Sequence, residues 1–123
     1  MAPAADFPTV FQRLRSILLP YAPRLAVKTD DDSLFYLDTH HVMKNKSPLF
    51  FGGVQIKKNY VSYHLFPIYV YPELLDDLSP ELRKRMQGKS CFNFTRIEEQ
   101  LAEELARLTA AGMQRFVQEG FVE

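Results

Sequence analysis

Apolar residues at Val10, Phe11, Leu14, Ile17 and Leu18 recur at helical spacing behind Asp6, a capping residue, and Pro8, which a first helical turn tolerates. The pattern predicts one amphipathic helix, stopped by Pro20 and Pro23. Leu25 to Lys28 and Leu34 to Asp38 then flank Thr-Asp-Asp-Asp-Ser, whose short side chains bond their own backbone, so a hairpin with an acidic tip is expected. Leu49 to Phe66, LFFGGVQIKKNYVSYHLF, predicts a second hairpin that turns at Lys58-Asn59, with Asn59 at positive φ and Lys57 facing Tyr60. That register sets Ile56 against Val61, Val54 against Tyr63 and Gly52 against Leu65 on a core face. Gly53, Gln55, Lys57, Tyr60, Ser62, His64 and Phe66 fall on a partly polar reverse face.

Further along, Pro72 suits the first turn of a helix, and Ser79-Pro80-Glu81 opens another with Ser79 as cap. Gly88 is expected to end that helix, and Cys91 to Phe94 reads as a strand. Thr95-Arg96-Ile97-Glu98 has the form of a capping box ahead of a terminal helix. In that helix Ile97, Leu101, Leu105, Leu108, Gly112 and Phe116 form the buried stripe, and Glu98, Glu99, Glu103 and Glu104 look outward. The expectation is a single α+β domain over residues 1–123, with one antiparallel sheet of about five strands packed against N- and C-terminal helices.

Composition narrows the setting. With 123 residues and 46% hydrophobic content the chain is large enough to bury a core without disulfides or metals. One cysteine and the lack of a leader-like or membrane-spanning run predict a cytoplasmic protein with no membrane partner. Fifteen basic and fifteen acidic residues cancel, which argues against a dedicated nucleic-acid binder. From Lys44 to Arg96, however, nine basic residues outnumber four acidic ones, so a local basic patch stays open. Tyr60, Tyr63, Tyr69 and Tyr71 near Lys57, Lys58 and Arg83 to Arg85 could stack bases, but core packing claims Tyr63, Tyr69 and Tyr71 first. Phe50, Phe51 and Phe66 either form an apolar patch that a second copy covers, making a homodimer, or lie under a helix.

The Gly-Lys-Ser of QGKSCFNF, Gln87 to Phe94, is not a phosphate loop. Arg83 stands where such a loop needs its first glycine, and the order of elements is helix then strand. The stretch VQIKKNYVSYHLFPIYVYPELLDDLSPELRKRMQGKSCFNF resembles the YdhG-like family of small bacterial proteins of unknown function. The likeness extends over nearly the whole chain. It implies a frataxin-like α+β fold and, because some relatives are described as iron chaperones, an iron-carrier alternative. Frataxin-like iron binding uses carboxylates on the first helix and strand, hard ligands suited to iron. Here no acidic residue lies between Asp6 and Asp30, and Arg13, Arg15 and Arg24 occupy that segment. Iron would fall to Asp30, Asp31 and Asp32 at the hairpin tip, or to Glu98, Glu99, Glu103 and Glu104.

The reading favoured by the residues is a non-catalytic module for an unknown small molecule or protein, with no cofactor and no catalytic residue assigned. Its ligand site is the polar sheet face of Gln55, Lys57, Ser62 and His64, where Gly53 opposite His64 leaves room beside the imidazole. His40 and His41, as neighbours in extended chain, point apart and form no ready chelate. An enzymatic alternative needs an exposed Cys91 beside His64. A separation above about 7 Å puts direct pairing out of hydrogen-bonding reach.

Overall fold

The computed structural model describes residues 6–122; the first five residues, part of the leaderless reading, and Glu123 lie outside them. Asp6 caps α1, Phe7–Leu18, by accepting from the Thr9 N–H at 3.4 Å. Its buried stripe is Val10, Phe11, Leu14, Ile17 and Leu18. A 3-10 segment, Leu19–Arg24, carries both prolines and leads into β1, Ala26–Asp30, and β2, Leu34–Val42. At the acidic tip between them, the Asp31 carboxylate accepts from the Ser33 and Leu34 N–H groups, each at 2.8 Å, and closes the turn. The same bonds to its ionised form hold the Asp31 pKa below the usual carboxylate range.

β3, Pro48–Ile56, and β4, Val61–Leu65, form the second hairpin. Its ladder pairs Gly52 with Leu65, Gly53 with His64, Val54 with Tyr63, Gln55 with Ser62 and Ile56 with Val61, as expected. The turn differs in one respect. Lys46, in the loop after β2, is the non-glycine residue with positive φ among the described residues, and Asn59 is not. The Lys57 N–H donates to the Tyr60 carbonyl at 2.7 Å, and five successive cross-strand pairs hold the register without a left-handed residue.

After β4 come two short helical pieces, α2 at Pro67–Val70 and a 3-10 turn at Pro72–Leu75, then α3, Pro80–Arg83, capped by Ser79 accepting from the Leu82 N–H at 3.1 Å. Gly88 does not end that helix. The chain leaves α3 after Arg83, forms β5, Met86–Gln87, and turns through Gly88 at φ +77° into β6, Cys91–Phe94. β5 brings the sheet to six strands in the order β1-β2-β3-β4-β6-β5, antiparallel throughout, where about five were expected.

The capping box is not formed either. The terminal helix α4 runs Glu99–Gln118, and Glu98 at its start is extended and makes no side-chain cap. Residues 95–98 are spent in descending from the sheet to the helix layer, so the box sits ahead of the first helical turn. From there α4 follows the expected stripe: Leu101, Leu105, Leu108, Gly112 and Phe116 are buried, and Ile97 is half-buried.

α1 and α4 cover one face of the sheet. Phe51, fully buried, meets the Phe116 ring edge-on at 6.0 Å, and the buried Tyr63 hydroxyl bonds Thr109 at 2.6 Å. A Cβ at Gly52 would come within 3.2 Å of the Leu18 side chain, so glycine there lets α1 settle onto the sheet. The Arg13 guanidinium forks onto the Glu99 carboxylate and ties the two helices together. No helix among the described residues is long and apolar enough to cross a membrane.

Candidate functional site

The opposite face of the sheet owes its composition to alternation. With Phe35, Leu37, Val54, Tyr63, Phe92 and Phe94 committed to the core, the intervening residues must point the other way. Two cross-sheet rows result. One runs Tyr36, Gly53, His64, Cys91, Gln87; the next runs Leu34, Gln55, Ser62, Asn93. A bulge helps: Leu37 pairs with Gly52 but Asp38 with Phe50, so Phe51 is the extra residue. The bulge sends Phe51 into the core and leaves Phe50 outside.

Outside, Phe50 stacks on Tyr36 at 4.6 Å and meets the His64 ring at 6.5 Å and the Phe66 ring at 6.0 Å. Phe66 in turn stacks on Tyr69 at 5.2 Å. The apolar patch considered from sequence therefore splits: Phe50 and Phe66 are half-buried on this face, and Phe51 lies under the helices. Between Tyr36 and His64 the row lacks a side chain, because Gly53 stands there. A Cβ at that position would lie 2.9 Å from the Phe35 carbonyl oxygen and 3.6 Å from the tip of the Phe50 ring, so the backbone bars a side chain there and Phe50 leans over the glycine. The hollow has a volume of about 190 Å³ and is lined by Leu34, Tyr36, Phe50, Gly53, Gln55 and His64, with Val54 beneath.

The four expected site residues are not equivalent. Gln55 and His64 line the hollow. Ser62 is sealed, 1% exposed, with its hydroxyl turned to the Gln55 carbonyl at 3.4 Å. Lys57 is exposed just beyond the end of β3 and acts on the site through its charge. Burial, and secondarily Lys57, lowers the His64 pKa, so the imidazole is neutral at pH 7.

Cys91, which the enzymatic alternative needs beside His64, is adjacent to it in the ladder, and its Sγ lies 3.7 Å from His64 Nε2. The separation required for direct pairing is met. The chemistry is not that of an activated nucleophile. Burial raises the Cys91 pKa, with Lys57 opposing it, and Asn93 Oδ1, 3.3 Å from Sγ, takes the thiol hydrogen. In the contact with His64 the donor is set by the imidazole tautomer. Asn93 was not among the expected site residues; its signal was the alternation that places it beside Cys91 on the strand.

Of the acidic candidates, Glu99 is engaged by Arg13 and Glu104 accepts from the Ser79 N–H and hydroxyl, while Glu98 and Glu103 are exposed. At the hairpin tip Asp30 is paired with Arg15, and Asp31 closes its own turn. Among the described residues there is no group of three or more His, Cys, Asp and Glu side chains arranged to hold a metal ion. A larger groove of about 690 Å³ runs beside β5, with Ile68, Tyr69, Leu75 and Met86 as walls and Arg83 and Lys89 among its lining. Arg83 is partly spent there, donating to the Leu75 carbonyl at 2.9 Å.

No family model, curated protein or solved structure matches this chain.

Proposed function

We propose that the protein is a small non-catalytic binding module, in keeping with its resemblance to the YdhG-like family, and that its ligand is an uncharged planar molecule of about one ring. The hollow over Gly53 carries this reading. Its walls are the stacked Tyr36 and Phe50 rings, and it offers a π-face at an open surface. Its polar groups, the Gln55 amide and a neutral His64, recognise hydrogen-bond donors and acceptors without demanding charge. No ionised side chain lines it. At about 190 Å³ it falls below the roughly 300–1,000 Å³ of sites for drug-sized ligands, which limits the occupant to a small heteroaromatic or amide-bearing ring.

The test is a fragment screen by protein-observed NMR, using uncharged heteroaromatic rings. Binders are expected to shift the Gly53, Gln55 and His64 resonances and to be lost in both Phe50→Ala and His64→Ala. Fragments that shift only the groove beside β5, or that bind these variants as well as the parent, would refute the assignment.

A further inference from the structure

We propose that His64 and Cys91 form a two-point chelate for a thiophilic d10 cation, of the Zn²⁺ and Cd²⁺ class, with the remaining coordination positions open to solvent or to a small exogenous ligand. The proposal rests on the reading of this sheet face as open to ligands. It uses the far side of His64 from the hollow.

Geometry carries it. The metal–sulfur distance of about 2.3 Å and metal–nitrogen distance of about 2.0–2.1 Å for zinc, at a tetrahedral angle, set the two donor atoms about 3.5 Å apart. Sγ and Nε2 are 3.7 Å apart already. The pair is cross-strand and in register, held by backbone pairing on both sides: His64 to Gly53 and Cys91 to Gln87. The donor separation therefore matches chelation to within a few tenths of an ångström, and rotation of the two side chains, without backbone movement, aims their lone pairs at a common ion. Both side chains are half-exposed, so an ion can reach them from the open face.

Burial lowers the His64 pKa, with Lys57 adding to it, so the imidazole is in its neutral, ligating form, whereas burial raises the Cys91 pKa, which Lys57 only partly offsets, so the thiol gives up its proton to solvent when the ion binds. Selectivity against hard cations comes from the sulfur donor, from which they gain little. On binding, the thiol proton leaves to solvent, the imidazole carries its proton on Nδ1, and sulfur and Nε2 each donate a lone pair to the ion. One proton is released per ion, and no redox step occurs. With two protein donors, one fewer than the three of a catalytic zinc site, two positions stay open, which suits delivering or sensing an ion and not locking it into the fold.

Cadmium titration of the full, reduced chain in a thiol-free buffer tests this, followed by the thiolate-to-cadmium charge-transfer absorption in the ultraviolet. The expected result is a band saturating near about one equivalent with release of about one proton. Cys91→Ser abolishes the band, and His64→Ala shifts its midpoint to at least about tenfold higher cadmium, the scale on which even outer-shell partners matter. An unchanged midpoint in a folded His64→Ala would reduce the site to a lone thiol and overturn the chelate. If no band forms while a small alkylating reagent modifies native Cys91, the metal site fails and the open face stands. If no band forms and Cys91 is inert to the reagent, the open face fails with it.

Discussion

The two faces of this sheet are made by the same strands, residue by residue, and yet they obey different rules. On the helix-covered face, Phe35, Leu37, Phe51, Val54, Tyr63 and Phe92 are essentially water-free, and their one hydroxyl in the group, on Tyr63, has found Thr109. On the open face, Tyr36, Phe50, Gln55, His64, Cys91 and Asn93 are all half-exposed and chemically mixed. The covered face is explained by burial alone. The open face is not, because rings and polar groups that need no burial for stability are nonetheless gathered around one glycine.

The strongest way to break this contrast is at the bulge, where adjacent phenylalanines point to opposite sides. Phe51→Ala is expected to cost about 3–5 kcal/mol, the usual range for deleting a buried ring. Phe50→Ala is expected to cost about 1 kcal/mol, since only part of its area leaves water on folding. Urea denaturation of the two variants gives the comparison directly. Equal losses would mean that Phe50 is as much core as Phe51 and that the open face is misdescribed.

Next in size is the Tyr63–Thr109 pair. Thr109→Val keeps shape but strands the Tyr63 hydroxyl in a fully buried position, at a cost of about 1–3 kcal/mol. Adding Tyr63→Phe should recover most of the loss, because both polar partners are then gone. A double variant no more stable than Thr109→Val alone would show that the cost came from packing. Tyr63 also sets an alkaline limit. Burial pushes its pKa far up, so the unfolded chain ionises first, and stability contributed by the neutral phenol is lost as pH rises above about 10.

How much of this was legible follows from the same division. The core-facing register of Val54, Ile56, Val61, Tyr63 and Leu65 could be read because a strand alternates strictly and a core rewards one phase of it. The stripe of α4 was legible for the matching reason at a period of 3.6 residues. Misplaced features were those set by tertiary demands. Gly88 serves a tight turn into β6 because β5, only two residues long, has too little pattern to announce itself. Thr95 to Glu98 carry a cap signature, but the chain needs those residues to cross between layers. On the open face, Gly53 and His64 were legible from the hairpin. The neighbours Tyr36 and Cys91 come from other strands, and their pairing depends on a strand order that no local spacing encodes.

A smaller effect sharpens the contrast in acid. Burial depresses the His64 pKa, so on lowering the pH the unfolded chain takes up a proton before the folded one does. Stability from neutral His64 is complete above the unfolded value of about 6.5 and declines as pH falls through it toward the lower folded value. His64→Gln should therefore flatten the dependence of unfolding free energy on pH just below about 6.5, with the covered face contributing no comparable slope there. An identical slope in the variant would mean that His64 is as well solvated folded as unfolded.

The most local effect concerns the thiol beside it. Burial raises the Cys91 pKa and the charge of Lys57 partly offsets that rise, so native Cys91 should alkylate more slowly at pH 8 than the same thiol in urea, where its pKa returns to about 8.5. The rate should climb with pH along a curve displaced to the alkaline side of the unfolded one. Lys57→Ala removes the offset and should displace the curve further, slowing the reaction at pH 8 without altering the rate in urea. A Lys57→Ala profile superimposable on the parent would show that Lys57 does not reach the sulfur electrostatically. The thiol's environment would then be set by burial and Asn93 alone, with the 3.7 Å approach of His64 Nε2 to Sγ unchanged.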